Sequence, residues 1–301
     1  MSSQKNFRLP TLASHGGVSP DAVRRYPVIV LKFGSSVLCS ELDLPNTVEE
    51  IRRWIDSGHR VVAVVSAIGN TTDTLLSLAK SFGENINDHS VAALLATGEA
   101  TSAALLSLAL DRAGIGCAIL DETRLGLRTH GAVLNSEPVE INAAEVHRVF
   151  EQTPVIVAPG FVGRLPDGSL SLLGRGGSDL TAVFIAQKIE ANRCRLVKDV
   201  DGIFEFDPAT SEAEPRQFKT LTWQEAIEIG GGIVQPKAID FAAQHLFPVE
   251  VAALNSDLPT LICDRSKSFY EAEAVAAEER IPYPFCPTSE AEEEGTAGRL
   301  A

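Results

Sequence analysis

Short runs of consecutive apolar residues alternate along the chain with longer segments in which apolar positions recur every three or four residues. The runs at 27–32 (PVIVLK), 60–65 (RVVAVV) and 154–158 (PVIVA) are continuous, which is typical of strands buried on both faces of a sheet. Residues 47–57 and 143–150 have helical periodicity instead. This alternation predicts an α/β fold with a largely parallel sheet and helices on both faces.

The remaining elements follow from weaker signals. Thr222 and Glu225 are spaced as a capping box at the start of a helix, and Pro166-Asp167-Gly168 predicts a hairpin turn. Residues 124–134 look like an irregular polar flap, and the segment up to residue 219 looks solvated. Further strands are predicted at 116–120, 195–197, 248–253 and 260–263, and further helices at 75–79, 90–113 and 236–245. Ser19-Pro20-Asp21 predicts the start of a short leading helix.

Composition narrows the class of protein. The chain has 301 residues, 45% hydrophobic content and a formal net charge of −14, which disfavours nucleic acid or an anionic membrane as a partner. Its five cysteines are scattered, as in a reducing compartment, and the first residues lack the apolar core of a signal peptide. We therefore expect a soluble cytoplasmic protein with an N-terminal extension (1–26), one domain (27–265) and an acidic, disordered tail (266–301).

A glycine-rich loop at residues 174–177 (GRGG) precedes a predicted helix. Glycines allow backbone amides to approach an anion, and the helix N-terminus adds a positive dipole end. Arg175 offers a planar fork for a carboxylate or phosphate, Ser178 is predicted as the N-cap, and Asp179 can order a cation in the first turn. A tight turn without any ligand is the alternative for such a loop taken alone.

Small and polar residues also follow two of the predicted strands. Lys32 lies at the end of the first strand, before Phe33-Gly34-Ser35-Ser36, and the second strand runs into residues 66–73 (SAIGNTTD). Loops at the carboxyl ends of strands are where open α/β sheets bind ligands. Glu99 lies on a helix so apolar that a carboxylate there is expected to be paired, for example with an ammonium group, unless it occupies the one exposed face.

Taken together, these loops resemble the amino acid kinase family and, within it, the aspartate kinases. The resemblance covers most of residues 27–253. The matching segments, in the order of that family, are LKFGSSV (31–37), VVSAIGNTTDTLL (64–76), TGEATSAALL (97–106), APGFVG (158–163), LGRGGSDLTA (173–182) and DVDGIFEFDP (199–208).

The resemblance implies a three-layer α/β/α sandwich with a mostly parallel central sheet. It also implies an enzyme that uses ATP and Mg²⁺ to phosphorylate the side-chain carboxylate of L-aspartate, the entry to lysine, threonine and methionine synthesis. A homodimer is commonly found in this family. Carried over by position, the catalytic residues would be Lys32 and Asp179, the amino-acid site would contain Ser66, Thr72, Glu99, Arg175 and Ser178, and the nucleotide site would contain Lys32, Gly34, Ser35, Gly69, Lys198, Asp199, Phe204, Asp207 and Lys237.

The sequence departs from the usual pattern of the family in three places. The first loop reads KFGSS and is one residue shorter than usual, Lys198 stands where a threonine is usual, and Gly232 stands where the aspartate kinases have a nucleotide-side lysine. Lys237 is the predicted replacement for that lysine. About 40 residues of low complexity follow the last predicted strand, so feedback inhibition through ACT modules is expected to be absent.

Two alternatives to an aspartate kinase stay open. One is a kinase of the same fold for another acidic amino acid or carbamate, and the other is a non-catalytic nucleotide or amino-acid sensor. In the kinase hypothesis, Lys32, backbone amides of Gly34 and Gly69, Mg²⁺ and Lys237 neutralise the transferring phosphate. No protein ligand is assigned to Mg²⁺, because ATP oxygens and water suit it better.

Overall fold

A computed structural model describes residues 26–206, 214–230 and 232–270. The helix start predicted at 19–21, the nucleotide-site candidate Asp207 and residues 271–301 of the predicted tail lie outside these ranges. The strands are β1 Val28–Phe33, β2 Arg60–Val65, β3 Cys117–Ile119, β4 Arg128–Ala132, β5 Asn135–Glu140, β6 Val155–Pro159, β7 Val162–Arg164, β8 Leu170–Leu172, β9 Arg193–Val197, β10 Phe218–Thr222, β11 Val249–Ala252, β12 Thr260–Cys263 and β13 Ser268–Phe269. The helices are α1 Leu44–Asp56, α2 Thr71–Lys80, α3 Asp88–Arg112, α4 Ala143–Phe150, α5 Gly177–Lys188, α6 Trp223–Ile229 and α7 Pro236–Gln244, with a 3₁₀ turn at Glu41–Asp43 before α1.

The main sheet has nine strands in the order β13-β10-β12-β11-β9-β1-β2-β6-β3. Six neighbouring strands of this sheet are parallel: β3, β6, β2, β1, β9 and β11. Among the described strands of this sheet, antiparallel pairs occur only between β11 and β12 and between β10 and β13. The predicted mostly parallel α/β sheet is confirmed. The first strand of the chain, β1, lies near the centre between β2 and β9, so the loops after these three strands meet at one edge.

Alternate residues of the central strands enter two separate cores. Val28 and Val30 of β1 pack with α4, α5 and α7 on one face of the sheet, whereas Ile29 and Leu31 pack with α1 and α3 on the other. Side chains of successive strand residues point to opposite faces, so a continuous apolar run serves both cores. The three-layer arrangement follows from this division.

A second, smaller sheet has the order β5-β4-β7-β8. Strands β4 and β5 form an antiparallel pair in the segment expected to be irregular at 124–134 and just after it, so that expectation is wrong. The segment that ends at residue 219 likewise contains the start of β10, and β13 extends the main sheet beyond the predicted domain end at residue 265. The hairpin predicted at 166–168 is confirmed by the antiparallel pairing of β7 with β8.

Helix α3 is long and apolar enough to cross a membrane when only length and hydropathy are considered. In this fold it packs against α1, α2 and β6, and Glu99 and Ser102 are among its buried residues. A core helix with this composition passes the same test.

Candidate active site

The centre of the site is a buried cluster of three charged side chains, Lys32, Asp179 and Lys198. Lys32 Nζ lies 2.7 Å from Asp179 Oδ1, and Lys198 Nζ lies 3.1 Å from Asp179 Oδ2. Their residue exposures are 7%, 2% and 9%, respectively. Neighbouring strands bring the two lysines together: Lys32 lies in β1, opposite Leu196 of β9, and Lys198 directly follows β9. Asp179 approaches from the first turn of α5.

Electrostatics keep the carboxylate of this cluster ionised. Burial alone would raise the pKa of Asp179, but the two lysines outweigh it and lower the pKa to about 2. Burial lowers the pKa of Lys32, and Lys198 adds to that effect, while Asp179 opposes it. With both lysines protonated, two cations surround one anion, so the cluster has an excess of positive charge in a site shielded from water.

The loop after β1 is shaped around the ammonium group of Lys32. A Cβ on Gly34 would lie only 2.6 Å from Lys32 Nζ, so a glycine is needed for the lysine to fold back over the loop. Ser35, next along the chain, is exposed. Lys32 and Gly34 are therefore in close contact, and their binding of phosphate stays a prediction.

Gly69 has a different local role from the one predicted. Its φ is 56°, a Cβ there would lie 2.6 Å from Cys39 O, and its N–H donates to Leu38 O at 2.8 Å. Gly69 thus joins the loops after β1 and β2. Because its amide is already used, the hypothesis that this amide binds phosphate is wrong for this arrangement.

Glu99 reaches the same edge of the sheet from α3. Its Oε1 accepts a 3.4 Å hydrogen bond from Ala67 N, in the loop after β2, and Ser102 Oγ accepts one from Ile68 N at 3.1 Å. The side chain is buried, and its Oε2 has no hydrogen-bond partner among the described residues. Burial raises the pKa of Glu99 to about 7, although its backbone hydrogen bonds and the charge of Lys32 act to lower it.

The glycine-rich loop packs tightly against its surroundings. Gly176 is the N-cap of α5, with a left-handed φ of 75° and no side-chain cap, and a Cβ there would lie 2.6 Å from Gln235 Cβ. Ser178 is the second residue of the helix and is buried against Gly160. The prediction that Ser178 is the N-cap is therefore wrong. Arg175 points outward from this loop and is exposed.

Lys237, at the second position of α7, is fully engaged by protein oxygens. Its Nζ donates to Leu173 O at 2.8 Å and to Asn135 Oδ1 and Ser136 O, both at 3.1 Å. An ammonium group has three donors, and here all three are used. Lys237 ties α7 to β5 and to the start of the glycine-rich loop.

The remaining predicted residues surround this centre. Ser66 follows β2, where its N–H donates to Phe33 O, and Thr72 lies in the first turn of α2; both are partly exposed. Asp199 is exposed beyond Lys198, and Phe204 pairs with Gln217 in an isolated bridge. Lys198, predicted near the adenine and ribose, directs its ammonium group to Asp179, and its contact with a nucleotide stays a prediction. Within the described ranges, no three His, Cys, Asp or Glu side chains are grouped closely enough to hold a metal ion.

The fold and this site define a class: a three-layer α/β/α protein with small-residue loops and buried lysines at the carboxyl ends of its central strands. The model of the amino acid kinase family matches residues 27–253. The chain belongs to the amino acid kinase family.

Aspartokinases are among its most similar relatives. Aspartokinase 2 of Bacillus subtilis (strain 168) is 33% identical over 243 residues, which are 79% of this chain and 59% of that protein. An aspartate kinase from Synechocystis has a similar structure, with a TM-score of 0.68 and 28% identity over 79% of this chain and 40% of that one. E. coli aspartokinase III in complex with aspartate and ADP shares the fold, with a TM-score of 0.67 and 20% identity over 79% and 65%. The chain spans somewhat more than half the length of the curated relatives it matches.

Proposed function

We propose that this chain is an ATP:L-aspartate phosphotransferase that produces 4-phospho-L-aspartate and ADP. The observation that carries the proposal is the buried Lys32–Asp179–Lys198 cluster. It is placed beside a buried carboxylate, Glu99, one oxygen of which has no hydrogen-bond partner in the described part of the chain. Such a site suits an anionic phosphate next to an ammonium-bearing acceptor. The similarity to aspartokinases supports aspartate as that acceptor.

The reaction needs charge neutralisation more than proton transfer. The side-chain carboxylate of aspartate has a reference pKa of about 3.9 and is ionised at neutral pH, so it can attack without a general base. Its oxygen forms the new bond to the γ-phosphorus while the bond from that phosphorus to the bridging β-oxygen breaks, and ADP leaves with that electron pair. Lys32 offsets the negative charge of the transferring group. Asp179, with its pKa of about 2, orients Lys32 and does not accept a proton.

The acceptor binds on the α3 side of this centre. The free Oε2 of Glu99 receives the ammonium group of aspartate, and Arg175 closes over the α-carboxylate with its bidentate fork. Ser66, Thr72 and Ser178 complete the pocket as hydrogen-bonding groups. Arg175 is exposed, so its guanidinium group is accessible to the α-carboxylate of a substrate.

The nucleotide approaches over the loops after β1 and β9. Gly34 and Ser35 line its phosphate side, and Asp199, Phe204 and Asp207 line its ribose and adenine side. Mg²⁺ prefers phosphate oxygens and water, so it enters with ATP and supplies further charge neutralisation there. Lys237 holds the glycine-rich loop in place, because its donors are used by protein oxygens.

A panel of acceptors tests the proposal directly. ADP release is measured with L-aspartate, L-glutamate, N-acetyl-L-glutamate, carbamate and D-aspartate, and hydroxylamine traps any acyl phosphate as a hydroxamate. Release of ADP with L-aspartate, together with its hydroxamate, is the expected result. Turnover with another acid and not with L-aspartate would reassign the substrate, and MgATP binding without turnover on any acceptor would indicate a sensor.

The protein is proposed to be cytoplasmic and homodimeric. Among the described residues, Cys39, Cys117, Cys194 and Cys263 form no disulfide, which suits the reducing cytoplasm. A homodimer stays a prediction, and its mass in solution tests it.

A further inference from the structure

We propose that Lys198 is a second phosphate-binding catalytic residue, which acts with Lys32 on the transferring phosphoryl group and takes the part that was predicted for Lys237. This inference rests on the proposed function. It assigns to the phosphate site of this chain a second cation, which comes from the end of β9.

The position of Lys198 is the first argument. Its ammonium group and that of Lys32 contact the two different oxygens of one carboxylate, at 3.1 and 2.7 Å. Both lysines come from the carboxyl ends of adjacent parallel strands, where the small-residue loops also lie. Lys198 N also donates to Ala252 O at 2.9 Å, which holds its backbone against the end of β11. A group bound over this edge of the sheet therefore meets both lysines at once.

The charge of the cluster is the second argument. A buried ion pair without excess charge would need one lysine for Asp179, and a second buried lysine adds a cation that Asp179 does not balance. Such a cation is costly in a protein interior unless an anion balances it. Lys198 has a single ion-pair partner among the described residues, and it shares that partner with Lys32. A bound triphosphate supplies the missing negative charge.

The engagement of Lys237 is the third argument. Its three donors are already directed at Asn135, Ser136 and Leu173, so a contact with phosphate would break bonds that hold the glycine-rich loop. Among the described residues, the ammonium group of Lys198 has one hydrogen bond, to Asp179, and so keeps donors for a ligand.

Three lysine variants separate these roles. Lys198→Met removes the charge, Lys198→Gln removes it but keeps a donor for Asp179, and Lys237→Met removes the rival lysine. Lys80→Met is the matched control, because Lys80 is exposed at the end of α2. For each protein, MgATP and MgADP affinities are measured by calorimetry without acceptor, kcat and the KM for aspartate are measured by ADP release, and folding is checked by circular dichroism and thermal unfolding.

We expect both Lys198 variants to lose about 10²-fold or more in kcat, with MgATP affinity about tenfold weaker, as for one lost charged hydrogen bond. The KM for aspartate should change little, and the affinity should fall more for MgATP than for MgADP. A folded Lys198→Gln protein with kcat and MgATP affinity within about twofold of the starting protein would overturn the inference. So would Lys237→Met, if it alone produced this pattern.

The design also separates this inference from the proposed function. If the unaltered protein binds MgATP but phosphorylates no acceptor, the proposed function fails, while weaker MgATP binding by both Lys198 variants still supports the phosphate contact. If the unaltered protein phosphorylates aspartate and the Lys198 variants do so equally well, the proposed function stands and the role of Lys198 is wrong.

Discussion

Lys32 Nζ occupies the space that a side chain at residue 34 would need: a Cβ on Gly34 would lie 2.6 Å from that nitrogen. The same nitrogen lies 2.7 Å from Asp179 Oδ1. The loop after β1 and the first turn of α5 thus hold the ammonium group from two sides. Residue 34 must therefore be a glycine if the side chain of Lys32, two residues earlier in the chain, is to keep this position.

Gly34→Ala should therefore impair catalysis without unfolding the protein. The new methyl group must displace the lysine ammonium group, because real Cβ atoms do not approach other atoms this closely. A displacement of about 1 Å at a reacting centre can reduce turnover by about 10². We expect such a loss in kcat, measured by ADP release, with a small change in the midpoint of urea unfolding.

Gly116→Ala is the control for that substitution. Its added Cβ would make an ordinary 3.5 Å contact with Thr153 Oγ1, at a site outside the loops described above. This variant should keep its turnover. Equal turnover of Gly34→Ala and the starting protein would show that the ammonium group does not need the observed position.

Lys32→Ala should lower kcat by about 10² to 10³. The substitution removes one of two cations at Asp179 and leaves the proposed phosphoryl group with less neutralisation, for which a loss of about 10² to 10³ in kcat is typical of a single electrostatic contact. The measurement is hydroxamate formation from L-aspartate at saturating MgATP. Retained activity would remove Lys32 from the chemistry.

The sequence predicted the centre of the sheet well, because strands buried on both faces leave continuous apolar runs. The sequence did not predict β4 and β5, because most of their residues are exposed and their composition resembles that of a polar loop. Ser178 was a reasonable N-cap by residue type. The structure instead uses Gly176, whose left-handed backbone lies against Gln235, a residue far along the chain.

The residues of the candidate site were predictable where they belong to short sequence motifs. They were less predictable where the position of a long side chain decides the contact. Lys32, Asp179 and Glu99 were singled out from local patterns, and the fold places all three at one edge of the sheet. Lys198 was assigned to the nucleotide side because its neighbours in sequence belong there. Its four-carbon chain turns instead to Asp179, 19 residues earlier, and a sequence pattern does not show the direction of such a side chain.

Arg175→Ala should raise the KM for aspartate far more than the KM for ATP. The guanidinium group is exposed in the protein without substrate, so its loss removes a ligand contact with little effect on folding. For a bidentate pair with a carboxylate, an increase of about tenfold or more is expected. Initial rates with each substrate varied in turn measure the two constants. Equal increases for both substrates would argue against the carboxylate role.

Asp179→Asn should destabilise the protein strongly. The neutral amide leaves two buried lysines without a counter-charge, and loss of one partner from a buried ion pair typically costs about 3–5 kcal/mol. Because the pKa of Asp179 is lowered to about 2, its stabilising effect is present above the unfolded pKa and is lost as the pH falls towards 2. Urea unfolding at pH 7 and pH 3 measures this difference.

Glu205→Gln is the matched control for Asp179→Asn. Its partner Arg216 is exposed, and solvent screens such a pair. The control should unfold at nearly the same urea concentration as the starting protein at both values of pH. A similarly small effect of Asp179→Asn would show that the lysine cluster does not depend on this carboxylate.

We expect the ionised carboxylate of Glu99 to lower the free energy of unfolding of the protein without substrate, and to bind the ammonium group of the substrate. Its pKa is raised to about 7 in the folded protein, chiefly by burial, while in the unfolded chain it is near the reference value of about 4.3. A group with a raised folded pKa favours folding below its unfolded pKa, and this advantage is lost as the pH rises through its folded pKa. The ionised carboxylate is therefore a cost at pH 8 that the ammonium group of a bound amino acid would offset.

We therefore compare Glu99→Gln with the unaltered protein at the same pH. The substitution should stabilise the protein more at pH 8 than at pH 4.5. The expected difference is about 2–3 kcal/mol, since each pKa unit corresponds to about 1.4 kcal/mol.

The same variant should bind aspartate poorly, because a neutral amide does not balance an ammonium charge. For the unaltered enzyme, the KM for aspartate should rise as the pH falls from 8 to 6. Urea unfolding and initial rates measure these effects. A pH-independent change in stability would mean that Glu99 titrates at an ordinary pKa, and an unchanged KM in the variant would place the ammonium group elsewhere.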